Sequence, residues 1–115
     1  MDNKINERID SLLSHIELIE RDIKTIDTSE LTESSLFIRA TAFSISQIGE
    51  QMVKMEELLK DKYPNLPWKN ARGLRNYIVH DYDSVDIDQL LFTVKNDLPV
   101  LKYAFQQIKK DLESK

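Results

Sequence analysis

The stretch FIRATAFSISQIGEQMVKMEELL, residues 37–59, decides the fold of this chain. Its core-type side chains recur in steps of three and four residues, which is the spacing of one face of an α-helix. The members of this stripe are Ile38, Thr41, Ile45, Ile48, Met52, Met55 and Leu59. The stretch therefore predicts a long amphipathic helix, and Phe37, Ala40 and Phe43 widen its apolar face.

Two further stripes with the same period lie on either side of this helix in the sequence. The first contains Ile5, Ile9, Leu12, Ile16, Ile19, Ile23 and Ile26, and the last contains Ile87, Leu91, Val94, Leu98, Leu101, Phe105, Ile108 and Leu112. The phase of the last stripe is unchanged across Pro99, so we expect one kinked helix there rather than two. Leu13, Leu18, Phe37 and Phe43 lie beside the main stripes, and either a dimer face or thicker core packing explains them.

A shorter third helix is predicted from about Trp68 to His80. The segment Tyr63-Pro64-Asn65-Leu66-Pro67 ends the second helix because proline lacks an N–H and clashes with the preceding turn. Pro67 then suits the first turn of the next helix, and Trp68 is expected to be a hydrophobic anchor. Asp27-Thr28-Ser29 breaks the first helix, and Ser84 or Asp86 can cap the last one. With no two-residue alternation of a strand, the pattern predicts an all-α antiparallel four-helix bundle in one domain, residues 1–115.

Composition excludes several classes of site. The chain has 115 residues and no cysteine, which rules out disulfides, thiolate metal sites and a cysteine nucleophile. The polar start of the chain does not fit a signal peptide, and no apolar run approaches the roughly 20 residues that span a bilayer. We therefore expect a cytoplasmic protein without a membrane segment.

Charge is unevenly distributed although the net charge is −4. A basic strip, defined here as Lys60, Lys62, Lys69, Arg72 and Arg75, contains one interspersed acid, Asp61. Four acids follow it, namely Asp81, Asp83, Asp86 and Asp88. This distribution favours a focused anion site over a broad nucleic-acid coat, and the alternative is a solvated segment whose charges have no role.

The segment GLRNYIVHDY, residues 73–82, contains most of the candidate chemistry. Arg75 is a permanent cation, His80 can exchange a proton near neutral pH, and Tyr82 carries a phenol. Residues five apart differ by about 140° around an ideal helix. Arg75 and His80 therefore converge only if His80 lies in the last turn or just beyond it. The other histidine, His15, is interpreted as a solvated surface residue.

Together these side chains fit cleavage of an RNA phosphodiester. Arginine can grip phosphate oxygens and stabilise the transition state, while histidine moves the proton. Asn76 can support the site, and the 2′-hydroxyl of RNA supplies the nucleophile, so neither a metal nor a cofactor is expected. Since each chain has one such histidine, a two-fold dimer would provide both a base and an acid. The alternative is structural, with Arg75 in a salt bridge to a nearby aspartate and His80 capping a helix.

The spacing Arg-x4-His-x-Tyr resembles the signature of the HepT-like toxins in the HEPN superfamily. Four segments outside or overlapping this motif are also similar to that family, namely Ile48-Gly49-Glu50, Pro67-Trp68, Gly73-Leu74-Arg75-Asn76 and Asp97-Leu98-Pro99-x-Leu101. The resemblance covers nearly the whole chain. It implies a small helical ribonuclease that dimerises with its motifs facing each other, and that acts as a toxin beside an MntA-like nucleotidyltransferase antitoxin.

The resemblance also assigns roles to the motif residues. It implies that Arg75 and His80 are catalytic, that Asn76 supports them, and that Tyr82 accepts AMP from the antitoxin. An adenylylated Tyr82 would place an anionic phosphate beside the site and repel RNA. Glu50 is a candidate for orienting His80. The alternative function is a non-catalytic HEPN module that binds a nucleotide or a nucleotidyltransferase partner.

Overall fold

A computed structural model describes residues 3–25, 35–76 and 87–114 of the chain. Its α-helices are α1 (Asn3–Thr25), α2 (Ser35–Leu59), α3 (Ala71–Arg75), α4 (Ile87–Phe92) and α5 (Leu98–Glu113). A 3₁₀ turn (Trp68–Asn70) leads directly into α3, and a π turn (Thr93–Asp97) joins α4 to α5. These three ranges contain no strand, and the predicted all-α bundle is confirmed. The predicted break at residues 27–29 and the motif residues His80 and Tyr82 lie outside the described ranges.

The core of the bundle lies between α1, α2 and α5. The stripes predicted for α1 and α2 are almost completely buried along most of their length. Lys102 and Lys109 of α5 pair with Glu20 and Asp10 of α1, at 2.7 and 2.6 Å. The lysines advance along α5 while their partners recede along α1, so the two helices are antiparallel. Because exposed ion pairs contribute about 0–1 kcal/mol each, the buried stripes dominate stability.

The last helix corrects one detail of the sequence interpretation. The chain stays helical from Ile87 to Glu113, as expected for one helix. However, Leu90 is only 1% exposed, whereas Leu91 of the predicted stripe is half-buried. A π turn contains more residues than an α turn, so it shifts the phase and brings Leu90 into line with Val94. The unchanged phase across Pro99 is confirmed, because Val94, Leu98 and Leu101 are all buried, whereas the assignment of Leu91 to the stripe is wrong.

Trp68 anchors the start of the short third helix. Its side chain is buried and meets the Phe105 ring edge-to-face, with centroids 6.2 Å apart. Its indole Nε1–H donates to the carbonyl oxygen of Tyr63 at 2.9 Å, which satisfies its polar atom. The predicted role of Trp68 as a hydrophobic anchor is confirmed. Because Trp68 begins the 3₁₀ turn, these contacts hold the start of the 3₁₀ turn and α3 against the bundle.

Candidate active site

Gly49 allows the helix that carries Arg75 to approach α2 at backbone distance. A Cβ atom at this position would overlap the backbone nitrogen of Arg75 and lie 2.7 Å from the carbonyl oxygen of Ala71. It would also lie 2.8 Å from the carbonyl carbon of Leu74. All three are backbone atoms, so no side-chain rotation can relieve the overlap. The position of Arg75 therefore depends on the absence of a side chain at Gly49.

The Arg75 side chain is half-buried at the C-terminal end of α3. Among the described residues no carboxylate pairs with its guanidinium, within the 4.0 Å that defines an ion pair. Asp81, Asp83 and Asp86, which the structural alternative would use, lie outside those residues. Within the described part of the chain, the guanidinium keeps its hydrogen-bonding capacity for a ligand.

Asn76 directly follows α3 and ends it. Its backbone has φ −85° and ψ 4°, and its N–H donates to the carbonyl oxygen of Arg72. The side chain is exposed, so it can meet a bound substrate beside Arg75. Arg75 and Asn76 therefore lie together at the C-terminal end of α3. The described range 35–76 ends at this point.

The surface of α3 and its 3₁₀ turn is positively charged. Lys69 and Arg72 are exposed and three residues apart, which places them on neighbouring turns of one face. Residues 62–76 contain no Asp or Glu. In the described part of the chain, no ion pair neutralises Lys69 or Arg72, whereas Lys54, Lys102 and Lys109 all have acidic partners. The basic strip predicted from the sequence therefore leads to Arg75 as a surface that can attract an anion.

Glu50 lies next to Gly49 on α2 and pairs with a residue of its own helix. Its carboxylate is 3.7 Å from Lys54 Nζ, one helical turn away. The hypothesis that Glu50 orients His80 concerns a residue outside the described ranges. The contact shown for Glu50 is this i,i+4 pair, which holds the carboxylate on the flank of α2 beside the crossing with α3.

His15 is less exposed than the sequence indicated. Its ring packs edge-on against Phe43, with centroids 6.2 Å apart, and its Nδ1 is 3.3 Å from the Ser44 hydroxyl oxygen. Burial lowers the pKa of His15 from its usual value. The prediction of a solvated surface histidine is wrong because α2 covers one side of the ring. The sequence offered one signal for this contact, the off-stripe Phe43.

No group of three or more His, Asp or Glu side chains able to hold a metal ion occurs among the residues that the structure describes. Within those same ranges, every helix is too short or too polar to cross a bilayer.

Comparison with known proteins identifies the family of this chain. The family model for ribonuclease HepT-like proteins matches residues 12–108. A candidate RNase of Methanocaldococcus jannaschii is 32% identical over 104 residues, which cover 90% of each chain. A probable ribonuclease HepT of Thermococcus cleftensis is 30% identical over 106 residues, covering 89% of this chain and 93% of its own. No solved structure matches the chain at a significant level.

The family match includes Gly49, the 3₁₀ turn, α3 and the whole Arg75–Tyr82 motif, and it ends in α5. It spans the elements that build the site as well as those that build the core. The chain therefore belongs to the HepT-like ribonuclease family.

Proposed function

We propose that this protein is a metal-independent endoribonuclease in which Arg75 and His80 are catalytic and Asn76 supports them. The observation that carries the proposal is the position of Arg75 at a backbone-close crossing with Gly49, within a chain of the HepT-like ribonuclease family. A half-buried guanidinium without an acidic partner among the described residues suits a group that must bind a phosphodiester. The positive face formed by Lys69 and Arg72 would bring the RNA backbone to it.

The reaction follows from the groups that the motif supplies. One His80 removes the proton of the 2′-hydroxyl, and the 2′-oxygen forms a bond to phosphorus. The bond from phosphorus to the 5′-oxygen breaks, and that oxygen takes a proton from a second histidine. Arg75 stabilises the charge that gathers on the phosphate oxygens in the transition state. The products are a 2′,3′-cyclic phosphate and a free 5′-hydroxyl, without a protein nucleophile.

The direct test is cleavage of a labelled RNA by the wild-type protein in the presence of EDTA. We expect full activity and a product that ends in a 2′,3′-cyclic phosphate, which mass spectrometry distinguishes from a linear phosphate. Loss of activity in EDTA would indicate a metal nuclease. Binding of RNA without any cleavage would favour the second candidate, a non-catalytic module for a nucleotide or a nucleotidyltransferase partner.

The proposed mechanism needs two histidines and therefore two chains in a homodimer. Two exposed apolar side chains of α2 lie seven residues apart, on one face of the helix: Leu36, 71% exposed, and Phe43, 49% exposed. Leu18 of α1 is also exposed. Phe37, by contrast, is buried, so only part of the off-stripe apolar surface is core. The remaining part is the candidate dimer face.

We expect the protein to sediment as a dimer at micromolar concentration and Phe43→Glu to shift it towards monomer. A charge at the centre of an apolar interface has to be desolvated, which disfavours association. Phe92→Glu is the matched control because Phe92 is an exposed aromatic on a different helix. Analytical ultracentrifugation of the three proteins measures the effect. A monomeric wild type, or a dimer that persists in Phe43→Glu, would remove this face from the proposal.

The proposed biological role is that of a toxin silenced by an MntA-like nucleotidyltransferase antitoxin. The support for this role is family membership together with the motif tyrosine at position 82. AMP on Tyr82 would add a phosphate two residues from His80, where it would occupy the anion site and repel RNA.

Tyr82→Phe is expected to retain RNA cleavage and to resist silencing. A phenol with an ordinary pKa near 10 is poorly suited to proton transfer at neutral pH, so removal of its hydroxyl should leave the reaction intact. The measurement is intact mass and RNA cleavage after incubation with the nucleotidyltransferase and ATP. An AMP-sized increment on Tyr82→Phe would place the modification elsewhere. Loss of cleavage in the unmodified variant would make Tyr82 part of the catalytic set.

A further inference from the structure

An apolar groove lies between α5 and the connection that follows α2. Its volume is about 420 Å³, which is within the range of about 300–1,000 Å³ typical of ligand sites. Tyr63 and Leu66 line one wall, and Val100 and Tyr103 line the other. Tyr103 is 66% exposed, and none of the described residues that line the groove carries a carboxylate. The Tyr103 ring is therefore exposed to solvent beside a groove that no described side chain fills.

One wall of the groove is rigid. The Tyr63 hydroxyl donates to Asp111 Oδ2 at 2.8 Å, and burial together with this bond raises the pKa of Tyr63 to about 12. The Trp68 indole N–H donates to the backbone carbonyl oxygen of Tyr63. Lys62 Nζ lies 5.6 Å from the centre of the Tyr63 ring. Because these contacts fix Tyr63, a flat ligand could enter the groove without reorganising that wall.

The groove adjoins a second hollow that borders α3, the helix that carries Arg75. A second hollow, of about 160 Å³, is lined by Asn70, Leu74, Asp97 and Val100. Val100 borders both cavities, and Leu74 directly precedes Arg75. Asp97 is the one carboxylate among the described residues that line this hollow, and it can accept hydrogen bonds from the amino groups of a base. The groove and this hollow therefore meet at Val100, and the hollow reaches α3 at Leu74.

The chemistry of this surface suits unpaired nucleotides. Exposed aromatic rings stack on bases, and neighbouring cations contact the phosphates, in proteins that bind single strands. In a duplex the bases already stack on each other and are not free for such a slot. Lys62 borders the groove. Lys69 is exposed and borders an adjoining hollow, which shares Pro64 and Leu66 with the groove. Together these features match the pattern of rings and cations that a single strand requires.

We propose that this groove binds single-stranded RNA beside the cleaved bond, with Tyr103 stacking on a base and Lys62 and Lys69 contacting phosphates. The inference rests on the proposed ribonuclease function and specifies its substrate as an unpaired strand. It makes Tyr103 a binding residue that acts apart from the Arg75–His80 chemistry.

The test uses the full chain and a labelled 12-nucleotide RNA with 2′-O-methyl groups, which lacks the nucleophile and cannot be cleaved. Fluorescence anisotropy gives the Kd for this strand and for the same strand in a duplex. Tyr103→Ala is expected to weaken single-strand binding about tenfold, within the range for loss of one stacked base. Tyr103→Trp should keep the affinity because it keeps a stacking surface. Phe92→Ala removes an aromatic that is 55% exposed but does not line the groove, and should change nothing.

The salt dependence gives an independent measurement. Each of Lys62→Gln and Lys69→Gln should reduce the slope of log K against log salt by about 0.7, the value for one phosphate contact on a single strand. Tyr103→Ala should leave this slope unchanged.

Two outcomes would overturn the proposal while leaving the proposed function intact. One is a wild-type Kd in Tyr103→Ala, as expected if an apolar protein segment occupies the groove. The other is a loss of affinity in Tyr103→Ala that is equally large for the single strand and for the duplex. If the wild type neither cleaves RNA in a separate assay nor binds the 2′-O-methyl strand, the proposed function itself fails and the groove proposal fails with it.

Discussion

His80→Ala and Arg75→Ala are each expected to abolish detectable RNA cleavage while leaving the helical circular dichroism unchanged. Loss of a general base or acid costs about 10²–10⁴-fold in rate, and His80 would serve in both roles across a dimer. Loss of one preorganised group that stabilises transition-state charge costs about 10²–10³-fold. Arg75 makes no ion pair with the other described residues, so its removal should disturb the fold little.

Three control variants distinguish the loss of a catalytic group from the loss of positive charge or of packing. His15→Ala removes the other histidine of the chain, which packs against Phe43, and should retain the wild-type rate constant in the dimeric state. Arg72→Ala removes a cation one turn before Arg75 and should raise KM more than it lowers kcat, because it loses attraction and not the reacting contact. Arg75→Lys keeps the charge but loses the two-pronged geometry, so it should recover little activity.

Steady-state cleavage of a fluorescent RNA, measured at protein concentrations that keep each variant in its dimeric form, checks these expectations. Cleavage by His80→Ala at the wild-type rate would contradict the proposed acid–base role. A rate for Arg75→Ala equal to that of Arg72→Ala would indicate that Arg75 contributes only general positive charge.

Gly49→Ala is expected to reduce cleavage about 100-fold or more, since a displacement of about 1 Å at a reacting group has this effect. The added Cβ would overlap backbone atoms of α3, including the nitrogen of Arg75, so α3 has to move as a unit. Overpacking of this kind also costs about 1–3 kcal/mol of stability. The effect should appear in kcat, because the displaced helix carries the group that acts in the transition state.

Gly73→Ala is the control for this substitution, since a Cβ at Gly73 meets no atom within 4 Å. Alanine is favoured over glycine in a helix by about 1 kcal/mol, so Gly73→Ala should be neutral or stabilising and fully active. Urea unfolding and RNA cleavage of both variants, compared at equal folded fraction, measure the two effects. Equal activity of the two alanine variants would show that the close crossing of α2 and α3 does not position Arg75.

The bundle could be predicted because burial follows a local period. The stripes in residues 5–23 and 38–59 repeat every three or four residues, and each such stripe has to be covered by another helix. Proline at positions 64 and 67 marks the end of α2 for a reason that is also local, the missing N–H. The candidate site was predicted from the side-chain chemistry of Arg75, Asn76 and His80 and from the resemblance of the motif to the HepT-like family, which also assigned a role to Tyr82. Of these, the described residues include Arg75 and Asn76.

Three features depended on the tertiary structure. The contact of Gly49 with α3 joins segments about 25 residues apart. A single glycine inside a helical pattern does not indicate which segment packs against it. His15 looked exposed because its cover, Phe43, comes from another helix. Leu90 replaced Leu91 in the core because the π turn before Pro99 changed the number of residues per turn. The sequence by itself determined which residues form helices and which faces they bury, because those depend on neighbours within two turns. Only the packing of one helix on another decided where Arg75 lies, because that position depends on the distance between two backbones.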